Sequence, residues 1–205
     1  MPKALILVAD GSEEIEFVTP YDVLTRAGFE VKSAGVELKN EGYAHMSRNI
    51  RIVPDYRRVT DLLNQTAHKA YEHYDILILP GGAPGAKTFC QNYHVLKLIW
   101  DFRRHGKWVA AICAATTAVV TSENAAMEKT VDEGKRKVTS HPSVREEVEK
   151  AGWEYSEERV VVDGMVITSR GPGTAMLFAL TIVEVMCGKD KREEVEGPMV
   201  CAETL

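Results

Sequence analysis

The sequence predicts one α/β domain in which a mostly parallel sheet carries helices on both faces. Three observations lead there. Short apolar, β-branched runs alternate with segments of helical spacing, the pattern of βαβ units. Three of those runs are apolar throughout instead of alternating, as strands covered on both faces must be. The length of 205 residues suits one sizeable core and is too short for two large ones.

In chain order, "ALILVA" (4–9) is the first strand, and Phe17 to Ala27 carries apolar residues at helical spacing. A second strand is expected at "EVKSAG" (30–35). The irregular stretch Val36 to Pro54 suggests a small hairpin excursion with "NEG" as its turn. "ILILPG" (76–81) and "WVAAIC" (108–113) bracket a helix over Val95 to Arg104. The runs 4–9, 76–79 and 109–112 are the candidates for central strands. The charged stretch 122–137 is read as a surface connection, and it leads to strands at "KVTS" (137–140) and "GMVITS" (164–169). "TAMLFALTIVEVMCG" (174–188) is a strongly apolar helix stopped by Gly188.

Composition narrows the function. Hydrophobic residues are 45% and charged residues 27% of the chain, ordinary for a folded soluble domain. The net charge of −5 offers no basic face for nucleic acid or anionic lipid. No apolar run approaches the roughly 20 residues of a spanning helix, and the N-terminus lacks the features of a secretory signal. Small molecules or other proteins are therefore the expected partners. Cys90, Cys113, Cys187 and Cys201 are far apart and form no C-x-x-C pair, which suggests free thiols and neither a disulfide framework nor a zinc site.

In an open α/β sheet, ligands bind beyond the carboxyl ends of the strands. Five stretches converge on that edge: "ADGSEEIE", "PGGAPGA" (80–86), "CAATTA", "SHPS" and "SRGPGT" (169–174). The glycines of 80–86 allow backbone N–H groups to approach a ligand as an oxyanion hole, or serve a plain tight connection. The stretch is neither a Walker A loop nor a G-x-G-x-x-G fingerprint, so nucleotide binding is disfavoured. "SRGPGT" reads as turn-making, with Thr174 capping the following helix and Arg170 open as an anion contact.

Glu13 and Glu14 suit the first turn of a helix, where carboxylates favour the dipole. Glu16, one turn into an apolar pattern, faces inward; a buried carboxyl there gains a raised pKa and can act as general acid or base. His45, His68, His73, His94 and His105 lie in polar or helical surroundings. His141 follows a strand end beside Pro142 and reaches toward the crevice, as a functional group or as a hydrogen-bonded structural one. Cys113 ends a strand and precedes small helix-formers, which suits a nucleophile elbow with a thiol pKa below about 8.5 and equally suits an inert buried cysteine.

Taken together, "ADGSEEIEFVTPYDVLTRAGFEV", "LILPGGAPGA", "AAICAATTA", "VTSHPSV" and "ITSRGPGTAMLFAL" resemble the DJ-1 branch of the DJ-1/PfpI superfamily, in order from about residue 3 to residue 190. The resemblance implies a flavodoxin-like three-layer sandwich, a single domain over 1–205, a homodimer, and a nucleophile-elbow cysteine at Cys113. It implies that Glu16 hydrogen-bonds the thiol, that His141 lies nearby, and that Gly81, Gly82 and Ala114 line an oxyanion pocket. Arg26 and Arg48 resemble anion-contacting arginines near the dimer interface. The protease-like branch has histidine after the cysteine; Ala114 stands there, against a peptidase. Met46 and Val53 occupy positions where vertebrate relatives carry cysteines.

The function implied is a glutathione-independent glyoxalase that turns methylglyoxal into lactate with no cofactor and no metal, in defence against reactive carbonyls and oxidative stress. Deglycation of protein or nucleotide adducts starts from the same hemithioacetal. A redox sensor or chaperone that uses oxidation of Cys113 is the reading from another class. The expected compartment is the cytoplasm, with the nucleus as a second location.

Overall fold

Why the runs 4–9, 76–79 and 109–112 are wholly apolar is answered by where they lie. In the computed structural model, which describes residues 1–125 and 136–202, six strands form one sheet. They are β1 (Lys3–Ala9), β2 (Glu30–Val36), β5 (Ile76–Leu79), β6 (Trp108–Ile112), β9 (Val160–Asp163) and β10 (Val166–Ser169), in the order β2-β1-β5-β6-β10-β9. All neighbours are parallel except β9, which runs antiparallel to β10 at the edge. β1, β5 and β6 are interior, and from Ala4 to Ala9, Ile76 to Leu79 and Val109 to Ile112 every residue is fully buried. Helices cover both faces, so alternation would have placed polar groups in the core.

The remaining strands are short: β3 (Ala44–His45) pairs antiparallel with β4 (Arg51–Ile52), and β7 (Lys137–Val138) pairs parallel with β8 (Glu154–Tyr155). The helices are α1 (Glu14–Arg26), α2 (Val59–Gln65), α3 (Ala70–His73), α4 (Ala83–Gln91), α5 (Tyr93–Arg104), α6 (Thr116–Ala125), α7 (Arg145–Lys150), α8 (Ala175–Cys187) and α9 (Lys189–Met199). α8 is apolar almost all round because it lies between the sheet, α1 and α9; Phe178, Leu180, Ile182 and Val183 are fully buried, and Gly188 ends it at φ +91°. The tail "EGPMVCAETL" begins inside α9, and Cys201 packs against the core.

Two expectations need correction. The hairpin between 36 and 54 exists, but its turn is Ser47–Asn49, closed by Met46 N–H to the Ile50 carbonyl with Asn49 at φ +74°; "NEG" is only a bend before β3. Asn tolerates that left-handed backbone, which is why the chain turns there. The run 137–140 does not join the main sheet. It holds one large apolar residue, Val138, which buries against Val120 and Val148 in a satellite cluster. Much of the 122–137 connection, residues 126–135, lies outside the described residues.

Among the described residues no helix is long and apolar enough to cross a membrane. The strand order reverses direction around β1 and β5, so the crevice expected of this topology opens beyond Ala9, Leu79 and Ile112.

The core makes a direct demand on α8. Phe178→Ala is expected to lower the unfolding free energy by about 3–5 kcal/mol, through lost burial and the cavity left behind. Urea denaturation with an unchanged slope checks this.

Candidate active site

β6 ends at Ile112, and the next residue, Cys113, adopts φ +64° before the chain enters a 3-10 turn and α6. A left-handed backbone costs a residue with a side chain about 1–2 kcal/mol, so the surroundings must hold it. They do so from one side through His141, whose backbone N–H donates to the Cys113 carbonyl at 3.2 Å. The segment carrying His141 is itself stitched to the sheet edge. Thr116 Oγ1 donates to the Thr139 carbonyl at 3.0 Å, and the Thr139 N–H donates to Thr168 Oγ1 at 2.9 Å.

On the other side stands Glu16, in the first turn of α1 and fully buried. Its Oε2 accepts the Gly81 N–H at 2.7 Å, its carboxyl also meets the Cys113 thiol, and its Oε1 has no hydrogen-bond partner. Burial pushes the Glu16 carboxyl up to about 7, opposed by the Gly81 N–H and the thiol. Gly81 must be glycine: a Cβ there would stand 2.6 Å from both Cys113 Cβ and Glu16 Oε2. Gly82, at φ +84°, completes the turn into α4.

Cys113 is 8% exposed, with the Gly82 and Ala114 amides directed at its sulfur. The sequence suggested a depressed thiol pKa. Instead, burial and then the Glu16 charge push the thiol up to about 12, and the two amides only partly compensate. Two acids share one buried site, so their protons leave as a pair's. The first goes near pH 7 and the second far above it. Above about pH 7 the pair therefore holds a single negative charge, and a proton passing between carboxyl and sulfur decides which atom bears it.

The other expected residues fall out as follows. Gly81 does not offer its N–H to an oxyanion, because Glu16 occupies it; Gly82 and Ala114 remain. His141 is exposed, and its Nδ1 takes the Ser143 N–H at 3.2 Å and contacts Ser143 Oγ at 2.8 Å. An amide hydrogen aimed at Nδ1 requires a lone pair there, so the neutral ring carries its proton on Nε2. The imidazole makes no hydrogen bond to Glu16 or Cys113.

Arg26 is paired with Asp22 at 2.7 Å, ten residues beyond Glu16 and so roughly 15 Å along α1. Arg48 is exposed, with its guanidinium on the Ser47 carbonyl at 3.2 Å. Neither arginine joins the Cys113 pair in this chain. Arg170 donates to the Glu157 carbonyl at 2.9 Å. Thr174 does not cap α8: its hydroxyl turns back to accept the Gly171 and Arg170 amides.

Sequence reasoning passed over Glu14. The helix-dipole account fits Glu13, whose Oε2 accepts the Glu16 N–H at 2.9 Å, but Glu14 is buried and bonded to the β3–β4 turn. Three carboxylates within four residues carry no signal that two point inward. Among the described residues no three His, Cys, Asp or Glu side chains gather as a metal site.

Known proteins share this arrangement of chain. The DJ-1/PfpI family model matches residues 2–185. The glutathione-independent glyoxalase DJ-1 of Schizosaccharomyces pombe is 35% identical over 198 residues, 95% of this chain and 96% of that protein. The Parkinson disease protein 7 homolog of Danio rerio is 38% identical over 200 residues, 97% of this chain and 96% of that protein. The solved structure of Schizosaccharomyces pombe DJ-1 superposes with a TM-score of 0.83 at 33% identity, covering 98% of this chain and 100% of that one.

The raised Glu16 carboxyl has a consequence for stability. Between its unfolded value of 4.5 and its folded value of about 7, the native state binds the proton more tightly than the unfolded state, so this residue destabilises the fold as pH rises through that window. Glu16→Gln removes the effect. The stability of the variant relative to wild type should rise by roughly 3 kcal/mol from about pH 4 to about pH 8, read by denaturant melts across pH. A constant difference would refute the raised carboxyl.

Proposed function

The chain belongs to the DJ-1/PfpI family, and from that premise we propose that it is a glutathione-independent glyoxalase converting methylglyoxal to lactate through a hemithioacetal on Cys113. The observation that carries the reading is the fully buried Glu16 carboxyl, half-ionised near neutrality, against a cysteine at a left-handed turn. A pair that trades one proton at physiological pH suits a reaction whose steps are proton transfers.

In this mechanism the Cys113 sulfur, having passed its proton to Glu16, adds to the aldehyde carbon, and the alkoxide takes a proton back. The Gly82 and Ala114 amides, which favour the sulfur's negative charge, offset the charge built during addition. Glu16 then removes the hydrogen from that carbon as a proton and returns it to the neighbouring ketone carbon, while the hydroxyl proton of the hemithioacetal passes to the ketone oxygen. The aldehyde carbon is oxidised and the ketone carbon reduced within one molecule, so no external oxidant or cofactor is consumed. The product is a lactoyl thioester on Cys113, and water cleaves it to lactate and free thiol. His141 contributes a donor from Nε2 to a substrate oxygen and is not the base.

We also propose that two copies associate through α1 and the β3–β4 hairpin, with Arg26 and Arg48 near that interface. Supporting this, Val18 and Val53 are exposed and line one groove of about 670 Å³ with Phe17, Tyr21 and Ile52. The cytoplasm is the compartment we propose, since four free cysteines suit a reducing milieu.

The test is lactate formation from methylglyoxal without glutathione. Wild type should form it, Cys113→Ser should fall to background, and His141→Gln, which keeps a donor at similar reach, should exceed His141→Ala. If wild type does no better than Cys113→Ser, the glyoxalase reading is wrong; clearance of methylglyoxal adducts would then favour deglycation, and a preferential gain of two oxygens on Cys113 under mild peroxide would favour the sensor. kcat/KM should rise with pH through about 7, because the reactive form has lost one proton from the pair, and should not fall again until well above that value.

A further inference from the structure

We propose that Glu14 is a positioning residue for the reacting pair, clamping the β3–β4 turn onto the first turn of α1 so that Glu16 is aimed at Gly81 and Cys113. Glu14 is 5% exposed, yet its carboxyl bonds the β3–β4 turn and neither Cys113 nor Gly81. Its Oε2 accepts the Ser47 hydroxyl at 2.7 Å, while its Oε1 takes the backbone N–H groups of Arg48 and Ile50. Burial alone would raise this carboxyl, but the Ser47 hydroxyl and the turn amides hold it below the usual range, so the clamp is charged at neutral pH.

Backbone bonds give the clamp its leverage. Ser47 N–H donates to the Ser12 carbonyl at 2.9 Å and Gly11 N–H to the His45 carbonyl at 2.8 Å. On the opposite side, Glu13 N–H donates to the Gly81 carbonyl at 3.1 Å. Residues 11–16 are thus held between the hairpin and the glycine turn. The hairpin's strands have two residues each and extend no larger sheet, so its seat rests on these bonds, on the Asp10 carboxylate that accepts the His45 N–H at 2.8 Å, and on the buried Ala44 and Met46. Glu16 follows Glu14 by two residues in the same helical turn, and any shift in where α1 begins is passed to its carboxyl. The rigidity matters because an ångström of misplacement away from the chemistry can cost about a hundredfold in rate.

The decisive comparison uses Glu14→Ala, Glu14→Gln and, as a control of matched instability, Leu62→Ala in α2. Gln keeps the pattern: its oxygen accepts both amides, and its NH₂ donates to the Ser47 hydroxyl, which can reverse. Two readouts are taken, the pH profile of Cys113 alkylation by iodoacetamide and the steady-state kinetics on methylglyoxal. Glu14→Ala should displace the alkylation profile and lower kcat by between about ten- and a hundredfold with KM little changed. Glu14→Gln should stay near wild type, and Leu62→Ala should lose stability with both readouts intact.

The proposal is overturned if Glu14→Ala behaves as Leu62→Ala does. Should Glu14→Ala fail to fold, Ser47→Ala decides: a displaced alkylation profile supports the clamp and an unchanged one refutes it. The kinetic readout rests on the proposed glyoxalase reaction, whereas alkylation does not. A wild-type protein without turnover therefore removes that reaction and leaves the clamp to the thiol profile.

Discussion

Everything at the carboxyl edge of this sheet is arranged around one buried contact, a carboxyl and a thiol sharing a single negative charge. Glu16 has no solvent and one amide donor, so its charge is poorly compensated. Cys113 is nearly as buried, and its own ionisation must compete with that charge. Neither group would be near neutrality alone in water. Burial leaves the carboxyl's ionisation accessible near neutrality, and burial together with the Glu16 charge suppresses the thiol's.

Holding such a pair together excludes other solutions locally. A side chain at Gly81 would drive the carboxyl and the thiol apart, and a right-handed backbone at Cys113 would redirect the sulfur relative to the Gly82 and Ala114 amides. The strain at Cys113 is carried by elements that are themselves firmly packed, namely the end of β6, fully buried from Val109 to Ile112, and the segment 139–141, stitched to α6 and β10 by threonine hydroxyls. This explains why so much bonding capacity beyond the strand ends goes to holding loops and so little to the reacting atoms. The Glu16 oxygen left without a partner is the exception, and it lies where a proton must come and go.

The sheet was legible because burial on both faces writes itself into sequence: "ALILVA", "ILIL" and "VAAI" have no place except the interior. Cys113, Glu16 and the glycine turn were legible for a related reason, since each departs from its local pattern at a strand end. What stayed hidden depends on distance in sequence. The hairpin turns at Ser47–Asn49 and not at the expected "NEG", because Glu14, more than thirty residues earlier, supplies an acceptor to that turn. The thiol's upward shift was hidden for the same reason: a helix N-terminus is visible locally, whereas burial and a facing carboxylate are not. Gly81 was matched to the right place and given the wrong duty, because its N–H has a prior claimant in Glu16.

Glu14 and Glu16 show how far environment divides residues of one type. They lie two positions apart in one helical turn, both are buried, and burial acts on each in the same direction. Their carboxyls nevertheless move to opposite sides of the usual range. Glu14 gathers a hydroxyl and two turn amides, enough to replace the water it lost, and so remains a fixed anion. Glu16 gathers one amide and a thiol, which is too little, and so becomes a group that can take and give a proton. A fixed charge is suited to holding a turn in place, and a labile one to moving hydrogen between carbons. The chain assigns those two tasks by the number of donors it delivers to each carboxyl, and the donors come from opposite sides, the hairpin for one and the glycine turn for the other.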